Sequence, residues 1–300
     1  MIFDFFTTHD NLLIRYGFLP CPRSRGTVIF LNGRSEFMEK HFETVHELNR
    51  RRFAVFSLDW RGQGLSSRML ANPHKGFVAS YEDYIRDLRL FMTRIVRNAA
   101  GGSPLIFLCH SMGGHIGFRY LHDFPGEITC AVQVSPMFEI RTFPFPLIFS
   151  KWLTLTAVRR GYAHAYALTQ KNFRPPDRIN FRWNPLTQDF ERFMDEKRAV
   201  DKNPRLALGG VTYGWLQATF DSADILMSPG YGKQVQTPVL ILSAERDRVV
   251  SVHAQKKFCT ALPQCRFKMI SGSYHEILKE REPIRAAFWA EFDCFVYEKT

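Results

Sequence analysis

Long apolar runs are missing from these 300 residues: none reaches the roughly 18 that a bilayer-spanning helix needs. No membrane-spanning segment is therefore expected. The opening Met1–Phe6 lacks the basic start of a secretory signal and soon meets charge, which points to a cytoplasmic protein. There is no internal repeat and no low-complexity tract. His-x-x-x-His pairs and Cys/His clusters are absent too, so no metal site is expected. Asp59–Gly64 holds two close glycines but not the Gly-x-Gly-x-x-Gly spacing of a dinucleotide loop, and no cofactor is expected. The six cysteines (Cys21, Cys109, Cys130, Cys259, Cys265, Cys294) show neither Cys-x-x-Cys nor paired spacing. They are expected as free thiols of a reducing compartment, packed as small hydrophobes.

Acidic residues are the scarcer charge, 29 against 40 Lys and Arg, for a formal net charge of +11. No basic helix motif, zinc spacing or RNA-binding signature accompanies that excess, so nucleic acid is not an expected partner. Two readings stay open: attraction to an anionic membrane surface, and a basic surface that is merely solvated. The excess is uneven, with seven Lys/Arg against Asp177 alone between Ser150 and Arg182.

What is present is an alternation. Apolar runs fit for buried strands lie at Thr27–Leu31, Phe53–Leu58, Leu105–Leu108, Ala131–Val134, Val239–Leu242 and Phe267–Ile270. Helical spacing falls between them, at Glu39–Arg51, Tyr81–Val96, Ser111–Asp123, Val252–Leu262 and Pro283–Tyr297. Strands alternating with helices predict an α/β fold, a mostly parallel sheet covered on both faces. The alternation breaks between Ser135 and about Lys233, where prolines and helical patterns such as Phe190–Val200 replace strand runs. Residues 136–233 are read as an inserted helical cap, and residues 1–135 with 234–300 as one core domain. The stretch Phe143–Leu153 is densely apolar and aromatic. It serves either as the core of the cap or as the lining of an acyl-chain pocket or lipid interface.

The chemistry sits at strand ends. Leu105–His110 is followed at once by Ser111, then by Gly113 and Gly114 and a helical pattern. That is the layout of a nucleophile elbow, in which a strained strand-to-helix turn presents a serine. The full motif is Gly-x-Ser-x-Gly; here Cys109 takes the place of the first glycine. A serine hydroxyl needs a base to take its proton, and the base needs a carboxylate to hold its tautomer. The strand at Val239–Leu242 opens into a loop carrying Glu245 and Asp247, and the strand at Phe267–Ile270 leads to His275. Either carboxylate could serve by position. His110, His115 and His253 lack the strand-end context of His275, and His110, inside the elbow, should point away from the serine.

The order Ser, Asp, His resembles that of the α/β-hydrolase superfamily. Within it the chain looks like the serine hydrolases of the lysophospholipase L2 and monoacylglycerol lipase type. The residues that carry the likeness are Leu31–Phe37, Leu58–Ser66, His110–Gly114, Asp247–Val250 and His275–Leu278, together with Asn184–Asp189 and Leu208–Trp215. Asn32 stands where monoacylglycerol lipases usually carry histidine. The resemblance implies an α/β-hydrolase fold and a catalytic triad of Ser111, Asp247 and His275. It also implies an oxyanion hole made by the backbone N–H groups of Arg34 and Met112. Asp59 would then be scaffold, bonding backbone amides. The implied activity is release of fatty acid from a lysophospholipid or monoacylglycerol through an acyl-enzyme on Ser111, with peripheral contact to an anionic membrane. A non-catalytic lipid-binding protein and a peptidase of the same fold are the alternatives. Headgroup, chain length and oligomeric state stay open.

Overall fold

The computed structural model describes residues 1–142 and 144–300. Among the described residues eight strands are formed: β1 (Ile2–Thr7), β2 (Leu13–Leu19), β3 (Gly26–Leu31), β4 (Phe53–Leu58), β5 (Leu105–His110), β6 (Cys130–Val134), β7 (Val239–Ala244) and β8 (Cys265–Ile270). They make one sheet in the order β1-β2-β4-β3-β5-β6-β7-β8. From β4 to β8 every neighbouring pair is parallel. β2 runs antiparallel to β4, and β1 antiparallel to β2. This N-terminal hairpin was not among the expected strands. β1 is an exposed edge with Ile2, Phe3 and Phe5 facing outward, so its pattern lacks the buried run that marks the inner strands.

The inner strands are apolar on both faces because both are covered. Side chains alternate along each strand. Val28, Phe30, Ile106, Leu108, Leu240 and Leu242 join one core, which is closed by α1 (Phe42–Arg50) and the C-terminal Phe288, Phe292 and Phe295. Ile29, Leu31, Phe107, Cys109, Val239 and Ile241 join the other. That second core is closed by α2 (Tyr81–Phe91) and, further on, Ile116, Phe118 and Phe258. Ser80 caps α2, its Oγ accepting from the Glu82 N–H at 3.2 Å, with Glu82 and Asp83 favouring the positive end of the helix. The helix runs on through a π-helical turn, Met92–Val96, into the short α3 (Arg97–Ala100). α4 (Met112–Asp123) follows β5.

Between β6 and β7 the described residues add no strand to the sheet; they form α5 (Leu147–Arg159), α6 (Arg178–Trp183), α7 (Phe190–Phe193), α8 (Asp195–Lys202) and α9 (Tyr213–Leu226). α5 packs on α9, and α9 touches α2. The apolar stretch expected at residues 143–153 falls in the coil before α5 and in its first turns; Phe143 itself lies outside the described residues. α10 (Val252–Cys259) and α11 (Glu282–Lys299) complete the chain.

One expectation is corrected. Not all six cysteines are free: Cys259 and Cys265 form a disulfide with Cα atoms 5.5 Å apart. Cys259 ends α10 and Cys265 begins β8, and a short reversal folds one onto the other, which sequence spacing alone did not reveal. Cys109 and Cys130 are free and buried, Cys294 free and exposed.

Candidate active site

Ser111 sits between β5 and α4 with φ +50° and ψ −114°, a conformation L-residues rarely adopt. The turn is held in place by its surroundings: the Ser111 N–H donates to Val134 O at 3.1 Å, and Ser111 O accepts from Met137 N–H at 3.0 Å. Gly113 is obligatory here, since a Cβ on it would lie 2.2 Å from Leu31 O and 2.5 Å from Asn32 O. Cys109 is accommodated by a different glycine. A Cβ on Gly117, one turn into α4, would stand 2.8 Å from the Cys109 Sγ, so the missing side chain at 117 leaves the room that the sulfur fills.

The loops after β7 and β8 bring the other two groups to the serine. His275 Nε2 is 3.0 Å from Ser111 Oγ, and His275 Nδ1 is 2.7 Å from Asp247 Oδ2. All three residues are buried. Asp247 Oδ1 accepts the backbone N–H groups of Val249 at 2.8 Å and Val250 at 3.0 Å. Burial pushes the Asp247 carboxyl upward; the facing imidazole and these N–H groups outweigh it and hold the carboxyl below its ordinary range. Glu245, the competing carboxylate, turns away to accept from Gly272 N–H at 2.8 Å. His115 bonds Met137 O at 2.9 Å and Ser222 Oγ at 2.7 Å inside the core, and His253 is exposed.

Arg34 lies in the loop after β3, and Met112 is the first residue of α4. Among the described residues, neither backbone N–H is engaged by a side chain or by a loop carbonyl. Asp59, at the end of β4, accepts the Met38 N–H at 3.0 Å and the Leu65 N–H at 2.9 Å, which fixes the loop beside them.

Sequence reasoning missed a buried ionic cluster behind this site. Glu36 Oε2 accepts from the Gly33 N–H and lies 3.0 Å from His110 Nδ1. His41 Nε2 stands 3.1 Å from the same oxygen, off the line of a hydrogen bond. Lys40 Nζ is 3.6 Å from Glu36 Oε1 and 2.6 Å from Glu276 Oε1, next to His275. His110 does point away from the serine, towards Glu36, and its Nε2 is 3.4 Å from His275 O. One carboxylate thus ties together the loop after β3, the elbow and the histidine loop. Burial pushes the Glu36 carboxyl up, but His110, His41 and Lys40 hold it well below its usual range. Burial disfavours the charged form of His110, yet Glu36 raises it above its ordinary value. Glu36 lay inside a recognised motif, but no periodicity marks which partners a buried acid will meet.

A cavity of about 470 Å³ opens on Ser111 and His275. Its walls are mostly apolar and include Phe145 and Leu153 from around α5, Trp215 and Phe220 from α9, and Ile140. Arg34, Lys40, Glu196 and Gln170 are among its polar lining residues.

This geometry has relatives. The family described as "Serine aminopeptidase, S33" (Hydrolase_4) matches residues 22–282. The chain belongs to this family. It is 30% identical over 298 residues to Lysophospholipase L2 of Escherichia coli (strain K12), spanning 97% of this chain and 86% of that protein. It is 22% identical over 260 residues to Monoacylglycerol lipase of Mycolicibacterium smegmatis, spanning 86% of this chain and 84% of that one. Among solved structures, a soluble variant of monoglyceride lipase from Saccharomyces cerevisiae superposes with a TM-score of 0.78 at 19% identity, over 99% of this chain and 95% of that one. A carboxyl esterase from Bacillus coagulans gives 0.77 at 16% identity, over 100% and 99%. The fold is the α/β-hydrolase fold, as the motif order implied.

Proposed function

We propose that this family member hydrolyses carboxylic esters of single-chain lipids, lysophospholipids or monoacylglycerols, through an acyl-enzyme on Ser111. The observation that carries the reading is the hydrogen-bonded line Ser111–His275–Asp247 opening on a mostly apolar cavity. His275 Nε2 takes the Ser111 proton as Oγ attacks the ester carbonyl, while His275 Nδ1–H stays on Asp247, which orients the ring and stabilises the imidazolium. The N–H groups of Arg34 and Met112 receive the developing oxyanion; loss of one such donor typically costs about 3 kcal/mol. The C–O bond then breaks, and His275 Nε2–H protonates the leaving glycerol oxygen. Water, deprotonated by His275, cleaves the acyl-Ser111 ester and releases the fatty acid. Lysophospholipase names attach to relatives that align with almost the whole chain, which supports this substrate class.

In this reading residues 136–233 are the cap and residues 1–135 with 234–300 the core. The cap also suggests where the lipid enters. On α5, Ile148 is 83% and Trp152 59% exposed, beside Lys151, Arg159 and Arg160, while Leu153 and Thr154 of the same helix line the cavity. An apolar, basic helix of this kind suits the interface of an anionic membrane. No helix among the described residues is long and apolar enough to cross one. The expected cytoplasmic location leaned on unpaired cysteines, and the Cys259–Cys265 bond removes that support.

A peptidase reading is favoured by the family's description as a serine aminopeptidase and by Glu196, a carboxylate in the cavity that could hold a substrate amine. The deciding assay is fatty-acid release from lysophosphatidylcholine by the wild type and by Ser111→Ala. Release that vanishes in the variant supports the ester reading. Silence there, with turnover of alanine nitroanilide, supports the peptidase.

A further inference from the structure

Two half-buried charged side chains lining the cavity, Arg34 and Glu196, make no ion pair among the described residues, and the exposed Arg141, its side chain bonded only to Val250 O, is a second cation at its edge. Arg34 makes no ion pair among the described residues, although its side chain is half-buried. Its Nη1 donates to Ser35 Oγ at 2.8 Å and its Nη2 to Gly209 O, and its guanidinium lies 5.4 Å from the Trp215 ring centre. That leaves three of five N–H donors, and the buried Nε has no partner at all. Burial lowers this guanidinium to about 10, the mark of a cation held with little compensation. Glu196, on α8, makes no side-chain hydrogen bond or ion pair among the described residues, feeling Lys40 and Arg34 only at longer range, while Glu276 is paired with Lys40 and Glu36 with Lys40 and His110. Burial raises its carboxyl. Half-buried charges without an ion pair are costly, and a cavity that presents such charges of both signs is suited to a ligand carrying both.

Resting on the ester-hydrolase reading above, we propose that Arg34 and Glu196 form the headgroup subsite of this cavity, the guanidinium holding the phosphodiester and the carboxylate the ammonium of a zwitterionic lysophospholipid. A guanidinium fork matches two phosphate oxygens, which a lone ammonium would not. A monoacylglycerol offers neither charge and engages neither side chain, meeting Arg34 only through its backbone N–H. A peptide amine would engage Glu196 and leave Arg34 idle, so Arg34 separates the two sources of an ammonium.

The test is a panel of oleoyl esters with one acyl chain and three headgroups: lysophosphatidylethanolamine, lysophosphatidylglycerol and monooleoylglycerol. Fatty-acid release is measured with the wild type, Glu196→Gln and Arg34→Met. A hydrogen bond to a charged group removed at each site predicts roughly a ten- to hundredfold fall in relative kcat/KM. For Glu196→Gln the fall appears in the ethanolamine-to-glycerophosphate ratio. For Arg34→Met it appears in the ratio of either phospholipid to monooleoylglycerol. Ratios that do not move, or an equal fall on all three substrates, overturn the subsite, the second outcome making Arg34 a strut between the β3 loop and Gly209. A wild type that cleaves none of the three, nor nitrophenyl butyrate, overturns the ester-hydrolase reading instead and takes the subsite with it. A wild type that cleaves nitrophenyl butyrate alone keeps the esterase chemistry but overturns the single-chain-lipid reading together with the subsite, whereas one that cleaves monooleoylglycerol and neither phospholipid overturns the subsite alone.

Discussion

The replacement of the first elbow glycine by Cys109 is matched by Gly117, and the pairing can be tested as a cycle. Gly117→Ala places a methyl 2.8 Å from the Cys109 Sγ and 3.4 Å from Leu31 Cδ1, in a fully buried part of α4. In an unobstructed helix interior, alanine would stabilise by about 1 kcal/mol over glycine. Overpacking a dense core costs about 1–3 kcal/mol. The single change is therefore expected to lose up to about 2 kcal/mol. In a Cys109→Gly background the sulfur is gone, the helix gain returns, and the new methyl occupies space that the thiol vacated. The two changes should thus couple favourably by about 1–3 kcal/mol. Urea unfolding of the wild type, both single variants and the double variant reads this as midpoints at a common slope. Additivity within about 0.5 kcal/mol would refute the reasoning and leave Cys109 a residue with no packing partner on α4.

Four further outcomes are expected. Asp247→Asn, which keeps the shape but fixes the wrong tautomer of His275, should lower kcat on a nitrophenyl ester by about 10⁴-fold with an unchanged circular dichroism spectrum; a loss under tenfold would point to another acid. Glu36 raises His110, so their mutual stabilisation is complete below the ordinary histidine value of 6.5 and is lost as pH climbs through the raised one. The melting temperature should fall on that alkaline side, and Glu36→Gln should flatten the slope; equal slopes in both proteins would dismiss the pair. Ile148→Glu with Trp152→Glu should weaken sedimentation with phosphatidylglycerol vesicles more than with phosphatidylcholine vesicles, and undiminished binding would move the membrane face off α5. Ellman titration of the denatured, unreduced chain should find four thiols, those of Cys21, Cys109, Cys130 and Cys294, and six would remove the disulfide.

The strands β3 to β7 were legible because a parallel sheet buried on both faces leaves continuous apolar runs, such as Val28–Leu31 and Leu105–Leu108. The hairpin β1–β2 was not legible, because the edge strand β1 exposes side chains on both faces, with Asp4 breaking its apolar run, and Arg15 breaks that of β2. The helix expected over Tyr81–Val96 is one continuous rod, but its π-helical turn left no mark; there Thr93 Oγ1 bonds Arg89 O at 2.8 Å. Among site residues, the serine, aspartate and histidine were found because each follows a strand, and a strand end is a readable place. Glu36, Lys40 and Glu196 were not singled out. Each owes its position to packing between distant segments, Lys40 against Glu276 and Glu196 into a cavity lined by residues from Gly33 to Glu276. The Cys259–Cys265 bond was missed for the same reason: it depends on how a reversal between α10 and β8 is shaped.

The sheet order has a temporal side. The inner strand β6 is complete by residue 134, and β7, its neighbour on one flank, begins only at residue 239. A chain emerging from the ribosome, at about 5–20 residues per second, thus carries Ser111 on a nearly finished sheet whose apolar β6 edge stands open. In the proposed mechanism that serine has no base until Asp247 and His275 arrive in the loops after the last two strands. The same delay that leaves an edge exposed to mispairing also keeps a lipid-cleaving hydroxyl inert while the chain is still being made.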